Sequence, residues 1–254
     1  MTELPNASPT GPSERTVDAP VPARALAIAA HPDDIEFQCG ATLAKWAAAG
    51  CVVNHLICTD GAKGTWDPNA DTLALAALRQ DEQRAAAAAL GATGEVFFLE
   101  AVDGELVASL ERRAQVAEVI RRTRPGIVLG HDPWRRYRLH PDHRAAGWLT
   151  IDGVVAARDP HFYPEQGLAH HRPDLLLLFE ADKPNHFEVV DGFAQAKTDA
   201  LLEHRSQFIT TMGITDPDDD SQRADFGARV GDQLQAIGAT GGLGPAEHFH
   251  RLEL

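Results

Sequence analysis

The sequence predicts a single Rossmann-like α/β domain, a parallel sheet covered by helices on both faces in three layers. Two observations carry this. Short apolar runs of strand length alternate with longer helical patterns, the order that builds parallel sheets. Alanine is abundant while aromatics make up only 6% of a chain that is 44% hydrophobic, a composition suited to helices packed closely on a sheet. At 254 residues the chain buries roughly 75% of its unfolded surface, enough core to fold without disulfides.

Met1 to Pro22 is rich in Pro, Ser, Thr and Glu and lacks the basic and apolar regions of a secretory signal. It reads as a disordered or loosely docked tail, with the folded domain over residues 23–254. Ala25 to Ala30 reads as the first buried strand and Ile35 to about Ala49 as its helix, with Pro32 expected in the first helical turn, where a missing N–H costs nothing. Val52 to Thr59 is strand-like, Thr72 to Leu90 a long alanine-rich helix and Val96 to Leu99 a short buried strand. A helix is expected from Ser109 to Thr123, with Glu111 early and Arg121, Arg122 and Arg124 late, as the helix dipole prefers. Ile127 to Leu129 supplies the fourth strand, Leu175 to Phe179 a fifth and Phe187 to Val190 a sixth. Gly192 to Gln207 reads as a helix, and after Ile209 only one, from about Ser221 to Ile237, is legible in a polar, Gly-rich segment.

Two segments carry chemistry: His31-Pro32-Asp33-Asp34 after the first strand and His140-Pro141-Asp142-His143 after the fourth. In a doubly wound sheet of order 3-2-1-4-5, strands one and four are neighbours where the winding reverses, and ligands bind beyond their carboxyl ends. His31 and Asp34, three apart, can share a face. His31, Asp34 and His143 are therefore expected to hold one Zn²⁺ per chain at that edge. Three protein ligands leave an open position, the arrangement of catalytic zinc. Such an ion lowers the pKa of bound water from about 15.7 to about 7 and polarises a carbonyl, as amide hydrolysis requires. Asp33 is the candidate general base, His140 the donor to an oxyanion, and Asp142 the group that orients a ligand imidazole.

These residues resemble a known family. Ala30-His31-Pro32-Asp33-Asp34 with Glu36, followed by Cys39 to Ala44, is similar to the opening signature of the LmbE-like, or PIG-L, zinc deacetylases, and His140-Pro141-Asp142-His143 matches their second metal motif. Thr59-Asp60-Gly61 to Gly64, Arg79 with Glu82, Asp103-Gly104 and His204-Arg205-Ser206-Gln207 resemble further blocks. The resemblance implies removal of an N-acyl group, usually acetyl from an N-acetylglucosamine unit, and it implies the same roles for His31, Asp34, His143, Asp33 and His140. Some members place a tyrosine two residues before the first histidine of the second motif; Arg138 stands there in this chain, with Tyr137 one step away. Glu36, Arg79, Trp66, Tyr137 and Arg138 are expected among the substrate contacts.

Each feature has a plainer reading. Trp66 and Trp134 either stack on a sugar or cover apolar surface. Arg135, Arg136 and Arg138 either grip a phosphate or carboxylate, or pair with the chain's own acids. His170-His171, and His248 with His250, read as surface histidines, and Asp216 to Asp220 as a solvated acidic loop lacking a calcium-loop pattern. A thiol-conjugate amidase uses the same metal chemistry, and a catalytically silent sugar- or nucleotide-binding module would keep only the fold. A two-metal phosphoesterase needs more carboxylate ligands than these motifs assign.

Composition narrows the setting. A net charge of −14 repels phosphate backbones, so the expected partner is a small amino-sugar or glycoconjugate and not a nucleic acid. No apolar stretch reaches membrane-span length. Cys39, Cys51 and Cys58 are odd in number and without CxxC spacing, which suits reduced thiols in the cytoplasm. A homo-oligomer is left open.

Overall fold

The computed structural model describes residues 15–254. The described residues form an eight-stranded sheet: β1 (Thr16–Val17), β2 (Arg24–Ala29), β3 (Val52–Thr59), β4 (Val96–Ala101), β5 (Ile127–His131), β6 (Leu175–Phe179), β7 (His186–Val189) and β8 (Ala246–Glu253). Six α-helices join them: α1 (Asp34–Ala48), α2 (Thr72–Ala89), α3 (Leu110–Thr123), α4 (Pro141–Arg158), α5 (Ala194–Leu202) and α6 (Asp220–Thr240). Strand order is β1-β7-β8-β6-β5-β2-β3-β4. The run β4-β3-β2-β5-β6 is parallel throughout and is the expected 3-2-1-4-5 winding, with β2 beside β5.

Both faces of this parallel run are buried, because alternate residues of a strand point to opposite faces. Ala25, Ala27 and Ala29 of β2 join one core cluster with Ile35, Leu43 and Trp46 of α1 and Ala86 of α2. Leu26, Ile28 and Ala30 join the other with Val116 and Ile120 of α3 and Leu149 and Val154 of α4. The small alanine side chains leave room on the first face for Trp46 and Phe179, both fully buried.

Several boundaries differ from expectation. Thr16–Val17 pairs in parallel with β7, Asp18 accepts from Lys45 Nζ at 2.8 Å and Ala19 N donates to Glu188 at 2.8 Å. The expected tail is therefore held from residue 16; its first 14 residues lie outside the described ones. Pro32 is not in the first turn of α1, which starts at Asp34 with Asp33 as a left-handed N-cap (φ 101°). The helix expected over 192–207 stops at Leu202, after which a 3-10 turn at Arg205–Gln207 leads into a π-turn at Phe208–Met212.

Strand β8 was not legible in the sequence. It runs antiparallel between β6 and β7, and its polar pattern is explained by Glu247. Helix α1 breaks at Cys39 (φ −143°), which frees backbone N–H groups that need acceptors. The Glu247 carboxylate accepts from Ala41 N at 3.2 Å and Thr42 N at 2.8 Å, and Lys197 Nζ meets it at 2.6 Å. A buried charge is tolerable when paired and hydrogen-bonded in this way. Among the described residues, no helix is long and apolar enough to cross a membrane.

Candidate active site

Five loops at the carboxyl edge of the parallel run surround one cavity of about 580 Å³. The β2–α1 loop brings His31, Asp33 and Asp34, the β5–α4 corner brings His140 and His143, and Asp103 and Glu180 follow β4 and β6. The two motifs, far apart in sequence, meet because β2 and β5 are adjacent and parallel.

His31 and Asp34 converge through a turn and not through a helix face. Asp34 N donates to His31 O at 3.3 Å, and the Asp34 carboxylate takes the His31 N–H at 2.8 Å. One carboxylate oxygen then lies 3.2 Å from His31 Nδ1 and the other 3.3 Å from His143 Nε2. Donor atoms of His31, Asp34 and His143 all lie within 4.8 Å of one another, and all three residues are buried. Two imidazoles, once deprotonated, and a carboxylate are a donor set that suits zinc.

The far nitrogens of both imidazoles face carboxylates. Asp142 Oδ2 is 3.1 Å from His31 Nε2 and accepts the Gly104 N–H at 2.6 Å, while Oδ1 accepts the Leu106 N–H at 3.1 Å. Glu180 Oε2 is 3.4 Å from His143 Nδ1 and 2.9 Å from His131 Nδ1, while Arg138 binds the other oxygen at 2.8 Å and touches the His143 ring. In the neutral tautomers that carry the proton on the carboxylate-facing nitrogen, His31 Nδ1 and His143 Nε2 would present lone pairs toward the centre. The residues present therefore fit a divalent metal ion.

The adjacent aspartates are electrostatically unlike. Burial raises the pKa of both, but around Asp34 the charge of His143 and the hydrogen bonds of His131 and His31 outweigh it, holding that carboxyl well below the usual range. Around Asp33 burial wins over the Arg79 guanidinium, and the charge of Asp34 adds to it, so its pKa is pushed up to about 6. Glu180 is drawn down to about 2, since bonds from His131 and His143 exceed the effect of its burial.

His140 is the N-cap of α4 and sits on the cavity wall, its ring centroid 4.6 Å from that of His31 and 4.9 Å from that of His143. Its Nδ1 accepts the Asp142 N–H at 3.3 Å, so Nε2 carries the proton. Burial, followed by the charges of His31 and His143, lowers its pKa below the ordinary histidine value.

The expected substrate contacts divide. Arg138 lines the cavity but is paired with Glu180. Arg79 reaches the wall only 3% exposed, giving its N–H groups to Gly61 O, Pro32 O and, at 3.3 Å, the Asp33 carboxylate. It lies so close to Gly61 (φ 64°) that a Cβ there would fall 2.7 Å from its Nη1, which explains that glycine. Glu36 is not a wall residue: it is fully buried behind Asp33 and bonded to Gln83 and His204. Trp66 and Tyr137 stand 81% and 93% exposed in flanking loops and are not among the residues that line the cavity.

The plainer reading prevails elsewhere. Arg135 donates to the Glu180 and Ala181 carbonyls and Arg136 pairs with Asp182 at 2.9 Å, so the basic run secures the loop after β6. Trp134 packs edge-on against Trp148 at 5.2 Å, and Asp219 caps α6. Sequence reasoning missed His131, Glu180 and Gln83. Glu180 has one signal, its place immediately after the all-leucine start of β6, where a parallel strand delivers the next residue to the site edge.

Residues 26–153 match the PIG-L family, described as GlcNAc-PI de-N-acetylase. The chain is 37% identical to the diacetylchitobiose deacetylase of Thermococcus kodakarensis over 73% of its own length and 70% of that protein. It is 30% identical to the 1D-myo-inositol 2-acetamido-2-deoxy-alpha-D-glucopyranoside deacetylase of Streptomyces scabiei, over 85% of this chain and 72% of the relative. Among solved structures, the N,N'-diacetylchitobiose deacetylase of Pyrococcus horikoshii in complex with an inhibitor superposes with a TM-score of 0.80 at 29% identity, covering 91% of this chain and 84% of that one. With both motifs and the parallel sheet that joins them, this chain belongs to the PIG-L, or LmbE-like, family.

Proposed function

We propose that this protein is a zinc-dependent N-deacetylase that hydrolyses the acetamide of an N-acetylglucosamine-type sugar. The observation that carries the reading is geometric: His31, Asp34 and His143 bring donor atoms within 4.8 Å of one another in one cavity whose wall also holds Asp33 and His140. The deacetylases of Thermococcus and Streptomyces named above support the choice of an acetylated amino sugar.

His31, Asp34 and His143 would hold the ion, which when bound supplies Lewis acidity to water and to the acetyl carbonyl. The chain's own residues then manage the protons. Asp33 accepts a proton as water adds to the acetyl carbon, a contribution of roughly 10² to 10⁴ in rate. The Nε2–H of His140 donates to the carbonyl oxygen as it gains negative charge, worth on the order of 10² to 10³. Collapse breaks the C–N bond, and the proton held by Asp33 passes to the departing nitrogen, leaving acetic acid and the amine, which exchange a proton to give acetate and ammonium. Arg79 keeps the Asp33 carboxylate aimed at the cavity throughout.

A cytoplasmic setting goes with this reading, supported by three cysteines that are all buried and unpaired. The test is metal content by elemental analysis beside acetate release from N-acetylglucosamine and its glycosides. About one zinc per chain with chelator-sensitive release is expected; metal-replete protein that releases acetate from none of these sugars would sink the substrate assignment.

A further inference from the structure

Helix α2 buries alanines at its C-terminal end, Ala86 and Ala87, but polar groups before them. Its Leu73 is 82% exposed and Leu78 also faces solvent, while Arg79, Glu82 and Gln83, which share one face by their spacing of three and four, are buried. Burying polar groups in place of available leucines costs stability unless each is satisfied, so these three side chains need partners. Gln83 Oε1 accepts the backbone N–H of Asp33 at 3.0 Å. Its Nε2 donates to Glu36 at 2.7 Å, and His204 Nε2 holds the second Glu36 oxygen at 3.3 Å. All three side chains are fully buried.

We infer that Gln83, Glu36 and His204 form a positioning set for Asp33, holding its backbone in the conformation that aims the carboxylate into the cavity. This rests on Asp33 being the proton acceptor of the proposed reaction. Asp33 has φ 101°, a region that L residues enter only when the surroundings compel it. Its N–H goes to Gln83, its carbonyl takes the Phe37 N–H at 3.0 Å, and its carboxylate meets Arg79 at 3.3 Å. Gln83 cannot turn its amide over, because Glu36 accepts only from the nitrogen side. Glu36 in turn is fixed from α1 and by His204 in the turn after α5. Three segments that resemble family blocks thus meet behind one residue, and none of the three side chains lines the cavity.

The experiment measures zinc content, thermal midpoint, kcat and KM for acetate release in Gln83→Leu, Asp33→Asn, their double variant, Gln83→Glu, and Gln83→Glu combined with Glu36→Gln. Gln83→Leu is expected to keep its zinc and its KM while kcat falls roughly tenfold to a hundredfold, the scale of a misaimed catalytic group. In the Asp33→Asn background the same change should alter the residual rate less than about twofold, since residues acting as a unit are not additive. Gln83→Glu sets two carboxylates against each other and should lose turnover; adding Glu36→Gln exchanges their roles and should restore most of it. Wild-type kcat in Gln83→Leu, equal losses with and without Asp33, or loss of zinc would overturn the positioning role while leaving the base assignment intact. Full activity in Asp33→Asn would instead remove the base, and the positioning role with it. If Gln83→Leu does not fold, the exchange pair decides, and no recovery there refutes the proposal.

Discussion

The tripeptide His-Pro-Asp turns two corners of the sheet, at residues 31–33 and 140–142, and the two copies use their residues differently. At the first corner Asp33 takes a left-handed conformation and delays the helix, so α1 begins after the motif and Pro32 lies outside it. At the second, His140 is the N-cap and Pro141 the first helical residue. The helix start is displaced by two positions along the motif. In the proposed site His31 is consequently a buried donor at the centre, whereas His140 stands at the rim and the donor is His143, one turn into α4. The aspartates exchange places as well: Asp33 faces the cavity and Asp142 is buried behind His31. A motif therefore specifies a set of chemical groups, and the backbone conformation of one residue decides which of them reaches the centre.

The largest test of this contrast removes the donor from the second corner. His143→Ala should lose most of its zinc and all measurable turnover, and retention of one equivalent by elemental analysis would show that the corners do not share an ion. Asp33→Asn should keep zinc and lose roughly 10² to 10⁴ in kcat, read by single-substrate kinetics at saturating metal; a near-normal kcat would erase the distinction between Asp33 and Asp142. The first corner also depends on support for its broken helix. Lys197→Met strands the Glu247 charge beneath α1 and should cost about 3 to 5 kcal/mol of stability, measured by denaturant unfolding, and an unchanged midpoint would count against that support.

Smaller effects sharpen the pairing of carboxylate with imidazole. Asp142→Ala at the first donor and Glu180→Ala at the second should each weaken zinc binding roughly 10- to 100-fold, followed by competition with a chelator. An effect at only one of them would show that the two imidazoles are not oriented alike. Tyr137→Ala is expected to change stability by less than about 0.5 kcal/mol, as for exposed side chains without partners; a raised KM would bring that loop back into substrate binding.

The sequence alone determined the alternation of strands and helices and the two motifs, while the 3-2-1-4-5 winding was expected from the fold class and is seen in the pairing of the strands. The alternation and the motifs are short-range properties: side-chain periodicity follows from local geometry, and ligand chemistry follows from residue type. It determined less wherever distant partners set the outcome. β8 was hidden because its Glu247 is buried only by virtue of Lys197 and a break in α1. Gln83 was hidden because a glutamine on a helix looks solvent-facing until Asp33 and Glu36 are brought to it.

Only the tertiary structure decided that Glu36 supports the site from behind, that Arg79 cradles Asp33, and that His131 and Glu180 complete the surroundings of His143. The physical reason is that burial and hydrogen-bond partnership belong to pairs of residues, and the pairs here are joined through the packing of the sheet and its helices rather than through neighbouring positions in the chain.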